Sequence, residues 1–206
     1  MKREHNLSNL VPLQYLECTG TQWIDTGFKL NQNSRVVIDF KITKYQTTWS
    51  SAAAVFGARY AYTNNQFQIF CPVNRSTDVY FCWNTALYQF KNYNILNSPI
   101  TLDANKNVWT ININGNVTIH TFANTNFQNQ GNCYLFKSNF YNEAPNTNGI
   151  AVDDDSHKRI YSCDIYDNDT QVRKYRPYLN AGEPGMLDEI NNVWYGNNGT
   201  DDFLYA

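Results

Sequence analysis

The sequence lacks most of the features that announce a chemistry. No apolar run is long enough to cross a membrane as a helix, which takes about 20 residues. No long stretch carries helical periodicity either. Charged residues are only 17%, and 16 Lys and Arg face 18 Asp and Glu, for a net charge of −2. A nucleic-acid surface needs a clustered basic excess, so that class of partner is set aside. Glutamate is scarce: Glu4, Glu17, Glu143, Glu183 and Glu189 complete the set. The three histidines, His5, His120 and His157, have no nucleophile or metal partner at motif spacing. Cys18, Cys71, Cys82, Cys133 and Cys163 are odd in number and widely spread, without paired metal spacing. Small buried hydrophobes are the expectation for them. Met1 to Leu13 carries Lys2 and Arg3 with no apolar stretch behind them. No secretory signal is expected there, and folding in a cytoplasm is.

What is present is alternation. Val36, Ile38, Phe40 and Ile42 fall on one side of Ser34 to Ile42, and Arg35, Asp39 and Lys41 on the other. Strand side chains point alternately to opposite faces, so this segment has one dry and one wet face. Ala52 to Tyr60 reads as a buried strand with Gly57 at a bulge or close approach. Gln66 to Cys71 and Asp78 to Trp83 alternate again. Asn84 to Leu102 is less regular and is expected to hold a long loop. Asn114-Gly115, between the alternating flanks of Val108 to His120, supplies the positive φ angles of a type I′ hairpin. Arg159 to Asp167 and Val172 to Tyr178 form a second hairpin across Asn168-Asp169. Ser138 to Asp155 is expected to be a polar loop. Aromatic residues reach 16%, which favours strands and supplies rings for stacking. Asparagine is abundant, at about thirty residues. Turn chemistry and base composition account for that, and so would amides lining a sugar site. With no linker and no internal repeat, 206 residues fit one all-β domain, a class reaching ~200–250 residues. Residues 1–12 are expected to be an arm and residues 13–206 the domain. The apolar faces require a two-sheet antiparallel sandwich or a closed barrel.

Four segments are familiar together. They are Tyr15-Leu16-Glu17-Cys18-Thr19-Gly20-Thr21-Gln22-Trp23-Ile24-Asp25-Thr26-Gly27, then Val55-Phe56-Gly57-Ala58-Arg59, then Arg159 to Asp167 with Val172-Arg173 and Pro177. The last is Gly185-Met186-Leu187-Asp188 through Val193-Trp194-Tyr195-Gly196-Asn197 to Gly199-Thr200. In this order they resemble the concanavalin A-like, laminin-G-like jelly-roll domains of bacteriophage virion proteins and gut-bacterial surface proteins. The resemblance implies two curved antiparallel sheets and a binding module on a tail fibre, head fibre or capsid. The quoted segments themselves read as structural, with turn chemistry at Thr19-Gly20-Thr21 and Asp25-Thr26-Gly27. Arg59 is expected to pair with Asp25 or Asp39.

Glycanases on this fold set two carboxylates across the scissile bond, usually closely spaced on one strand. No strand here reads Glu-x-Asp-x-Glu, so no enzyme is expected. The acidic triplet Asp153, Asp154 and Asp155 is a weak calcium candidate, since Ca²⁺ takes oxygen ligands. Asp201-Asp202 is discounted as solvated. A sugar site wants an exposed ring plus amide or carboxylate groups, on loops of a rigid scaffold. Trp49, Tyr62 and Tyr141 are the platforms expected, with Asn64 and Asn139 as hydrogen-bonding groups. The expectation is a noncatalytic virion module that binds glycans on a bacterial surface, alongside other virion proteins and with a homo-oligomer allowed. The rivals are a structural virion protein held by protein contacts, and a glycan hydrolase. No nucleic acid, no membrane insertion and no cofactor are expected.

Overall fold

The computed structural model describes residues 7–47, 53–60, 64–71, 77–141, 150–151 and 155–206. In chain order the strands are β1 Leu10–Pro12, β2 Leu16–Cys18, β3 Ile24–Asp25, β4 Ser34–Lys44, β5 Ala53–Tyr60, β6 Asn64–Cys71 and β7 Val79–Asn84. There follow β8 Ala86–Phe90, β9 Ile100–Asn105, β10 Val108–Ile113, β11 Asn116–Thr121, β12 Tyr134–Leu135 and β13 Asn139–Tyr141. The last are β14 Ile150–Ala151, β15 His157–Asp167, β16 Thr170–Asn180, β17 Glu183–Asp188, β18 Val193–Tyr195 and β19 Leu204–Tyr205. Among the described residues the only helix is one 3-10 turn, Leu7–Asn9. None is long and apolar enough to cross a membrane.

The strands form two sheets. The larger runs β11-β10-β9-β4-β15-β16-β17-β18, with β1 on β16 and β2 between β15 and β19. The smaller runs β14-β13-β5-β6-β7-β8, with β3 reaching β5 through β12. Pairing is antiparallel except for the short parallel contact of β13 with β5. The fold is a two-sheet antiparallel β-sandwich, one of the two arrangements that the alternation allows.

The central strand β4 shows why. Val36, Ile38, Phe40 and Ile42 are buried, while Arg35, Asp39, Lys41 and Thr43 lie on the other face. That wet face is tied across strands. Arg35 grips Asp103 at 2.8 and 2.7 Å, and Asp39 accepts hydrogen bonds from Thr101 and Ser162. On the dry side, Trp109 of the larger sheet packs on Phe67 and Phe81 of the smaller one, at centroid distances of 4.8 and 5.2 Å. Such ring pairs add about 0.5–1.5 kcal/mol each beyond the area they bury. All five cysteines are buried, as small core hydrophobes are.

Both expected hairpins form. Asn114-Gly115 has φ of 50° and 87°, and Asn168-Asp169 has 47° and 65°. Among the described residues, seven of the twelve non-glycine positions at positive φ are asparagines, so turn chemistry absorbs much of the asparagine excess. Gly57 is the close approach foreseen, since an added Cβ would overlap the Phe67 carbonyl on the neighbouring strand.

Three expectations change. The long loop expected within Asn84 to Leu102 is narrowed to 91–99: Asn84 at φ 53° turns β7 directly into β8, and β9 starts at Ile100. The stretch from Ser138 contributes two short strands, β13 and β14. Arg59 does not reach Asp25 or Asp39. Its guanidinium stacks over the Phe140 ring at 4.4 Å, because β13 lies beside β5. Within the stretch expected as an arm, Leu10–Pro12 pairs with Tyr178–Asn180 of the same chain.

Candidate functional site

A cleft of about 1320 Å³ lies along β18, at the edge of the larger sheet. Its walls come from distant parts of the sequence: Asp25 and Gly27 after β3, Asn132 before β12, the β16–β17 turn with Glu183, strand β18 with Trp194 and Tyr195, and the tail from Gly196 to Phe203. The tail is sewn to the first strands. Trp23 N–H and Gly199 N–H both donate to Asn197 Oδ1, at 3.2 and 2.9 Å. Asn198 N–H donates to the Trp23 carbonyl, and Asp25 N–H donates to Asn198 Oδ1 at 2.9 Å. Gln22 Nε2 donates to the Asp202 carbonyl, and Thr21 Oγ1 to the Asp201 carboxylate at 3.0 Å. Gly199 sits so close to the Thr21 carbonyl that a Cβ there would overlap it. Only glycine permits this approach.

The carboxylates are held rather than loose. Asp25 accepts from Gly27 N–H at 2.8 Å on one oxygen and from Asn132 Nδ2 at 3.2 Å on the other. Its neighbour across the sheet is Tyr134, stacked on Trp23 at 4.3 Å. Burial, then the Asp25 charge, pushes the Tyr134 phenol up. Thr26 Oγ1 donates to the Cys133 carbonyl, and Tyr175 donates to the Thr26 carbonyl. So the Asp25-Thr26-Gly27 turn is fixed on both sides. Tyr195 packs edge-on against Tyr175 at 5.3 Å and remains partly exposed in the cleft wall. The cleft therefore combines a positioned ring, side-chain amides and the carboxylates of Asp25, Glu183, Asp201 and Asp202.

Of the residues expected from the sequence, none that the structure describes lines it. Trp49 and Tyr62 lie outside the described residues. Asn64 and Tyr141 lie on the two strands that flank β5, each in backbone register with Tyr60 at one end of the smaller sheet. Asn139 is on a strand rather than a loop, fully buried, and its amide donates to the Asn132 carbonyl at 2.8 Å. That burial removes it from any open surface. Of the acidic triplet, Asp153 and Asp154 lie outside the described residues. Asp155 accepts from the Thr47 backbone and hydroxyl and pairs with Lys44 at 3.5 Å. No group of three His, Cys, Asp or Glu is placed to hold a metal ion among the described residues. Asp201-Asp202, discounted from the sequence, are in the cleft. The available signal was the asparagine- and glycine-rich run Gly196 to Thr200 directly after an aromatic pair.

A second polar cluster lies on the outer face of the larger sheet. Glu17, nearly buried, accepts from Arg159 at 2.8 Å and Thr43 at 2.6 Å, with His157 at 3.9 Å. Arg159 also covers the Tyr15 ring at 4.2 Å. Burial opposes the Arg159 charge, but the Glu17 hydrogen bond and charge outweigh it and raise its pKa. These contacts satisfy Glu17 and tie β2, β4 and β15 together, which is a structural role.

No protein-family model matches the chain, and no curated protein does. Solved structures with a similar arrangement include the alginate lyase AlgAT5 from polysaccharide lyase family 7, at 12% identity and a TM-score of 0.39. It covers 68% of this chain and 62% of its own. Alginate lyase A1-II′ of the same family follows at 8% identity and 0.35, covering 65% and 61%. The chain thus spans about three-fifths of each lyase. Two expectations are corrected here, the noncatalytic virion module and the absence of an enzyme: the neighbours are polysaccharide-cleaving enzymes. No single strand carries paired carboxylates at Glu-x-Asp-x-Glu spacing. The fold instead collects carboxylates from opposite ends of the chain into one cleft.

Proposed function

We propose that the chain binds a polysaccharide strand in the Asp25–Tyr195 cleft and cleaves it. The observation supporting this reading is the convergence of Asp25, Glu183, Asp201 and Asp202 with Tyr195 and the Asn132 amide around one open cleft. Sugar rings offer apolar C–H faces to an aromatic ring and hydroxyls to amides and carboxylates. Carboxyl groups facing one another across such a cleft are the usual acid and base of glycosidic cleavage. Asp25 and Asp201 are the candidates, since each is oriented by hydrogen bonds from the protein. The setting we propose follows the resemblance in the sequence: a phage particle meeting the polysaccharide coat of a bacterium.

The test is incubation of the full chain with purified bacterial surface polysaccharides, read by new chain ends and by the fall in polymer size. The expected result is depolymerisation by the wild type, reduced about 10²-fold or more in Asp25→Asn or Asp201→Asn, the size of a lost acid or base. Unchanged turnover in both variants would move the chemistry elsewhere. No cleavage by the wild type of any polymer tried would remove the reading.

A further inference from the structure

We infer that the cleft selects a polysaccharide whose repeat carries no acid group, built of neutral or amino sugars, and that it cleaves this polymer by hydrolysis. This rests on the reading of the cleft as a polysaccharide site and adds the substrate class.

The ground is the charge of the walls. Among the described lining residues, Asp25, Glu183, Asp201 and Asp202 are acidic, and no Lys, Arg or His is present. The three cations of the neighbouring strand β16 are engaged in pairs of their own. Arg173 reaches Asp188, Arg176 takes Asp164, and Lys174 takes Glu189. A polyuronate or sulfated strand entering here would place its own anions against these carboxylates, and like-charge juxtaposition costs several kcal/mol. Neutral hydroxyls and ammonium groups are instead donors that carboxylates accept well.

The chemistry agrees with the charge. Eliminative cleavage of a uronate removes a proton next to the sugar carboxylate, and the carbanion-like charge needs a cation or strong donor beside that carboxylate. The described walls supply carboxylates there, not cations. Hydrolysis asks only for what is present. One carboxyl group gives its proton to the glycosidic oxygen as the C1–O bond breaks. A second carboxylate takes a proton from the water whose oxygen bonds to C1. Water is the co-reactant, both products are hydroxyl-ended, and the two carboxyl groups recover their protonation through solvent.

The experiment compares wild-type protein with neutral β-glucan oligosaccharides, chitosan oligosaccharides and alginate oligosaccharides. Binding is read by calorimetry at low and high salt, and products by reducing ends and by the ultraviolet absorbance of unsaturated ends. Expected are binding and reducing ends from a neutral or amino-sugar polymer, no unsaturated ends, and alginate binding weaker by roughly tenfold or more at low salt. Added salt should narrow that gap by screening the repulsion. An Asp25→Asn/Asp201→Asn double variant should also narrow it, with cleavage lost. Alginate bound as tightly as the neutral polymers, or unsaturated ends released, would overturn the charge selection while leaving the polysaccharide reading intact. No binding or cleavage of any of the three would overturn both. The salt arm uses unaltered protein, so the inference is tested even if the double variant fails to fold.

Discussion

His120 shows how a single side chain can carry a pH dependence that no motif announces. It lies on β11, the edge of the larger sheet, and stacks on Tyr88 from β8, the edge of the smaller one, with centroids 3.5 Å apart. Phe122 closes on it edge-on at 4.5 Å. Burial lowers its pKa below the usual value of about 6.5. The unfolded chain therefore binds a proton at this site more readily than the folded one. The contribution to stability is present above the unfolded pKa and is lost as pH falls below about 6.5 toward the folded value. Urea denaturation at a series of pH values should show stability falling from about pH 7 to 5, with a shallower slope in His120→Gln. An equal slope in both proteins would place the proton uptake at another group.

At the scale of elements, the tail from Gly196 to Phe203 holds the cleft open in its present shape, and side-chain amides do most of the holding. Asn198 alone provides the acceptor for Asp25 N–H and the donor for the Trp23 carbonyl. Its side chain, but not its backbone, is lost in Asn198→Ala. The expected result is faster hydrogen exchange at the Asp25 and Gly199 amides, with core strands such as β4 unchanged and a stability loss of about 1 kcal/mol. Protection unchanged at Asp25 would show the tail to be held by its other contacts, those of Asn197, Gln22 and Thr21. The elements themselves were largely legible. Period-two alternation located β4, β6, β7 and β10, because each is wet on one face or bounded by turns. It missed β8, which Ala86 and exposed Leu87 begin, and the short strands β13 and β14 in the stretch expected as a polar loop. Strands this short carry too few side chains for a pattern, and only their partners make them strands.

Across the whole molecule, Trp109 joins the two layers. It is fully buried, packs on Phe67, Phe81 and Phe122, and donates its indole N–H to the Lys106 carbonyl at 2.9 Å. Trp109→Ala should cost about 3–5 kcal/mol, measured as a lower urea midpoint at unchanged m-value. A loss under about 1 kcal/mol would mean that the layers are held elsewhere. The same inter-sheet closure brings Asp25 and Asp201 into one cleft. Trp49, Tyr62 and Tyr141 were chosen from the sequence because exposed rings on loops are common sugar platforms. Tyr195 escaped notice because it follows Trp194 in a strand and reads as core.

The amino-acid order alone determined that this chain pairs strands into two layers, where its two tight hairpins turn, and that its cysteines are core. Those outcomes depend on neighbours two residues apart and on local φ preferences, which a linear pattern records. Which carboxylates line one cleft was decided only by tertiary structure. Asp25 and Asp201 share it because the tail folds back onto the first strands, and that closure is set by long-range packing rather than by local spacing.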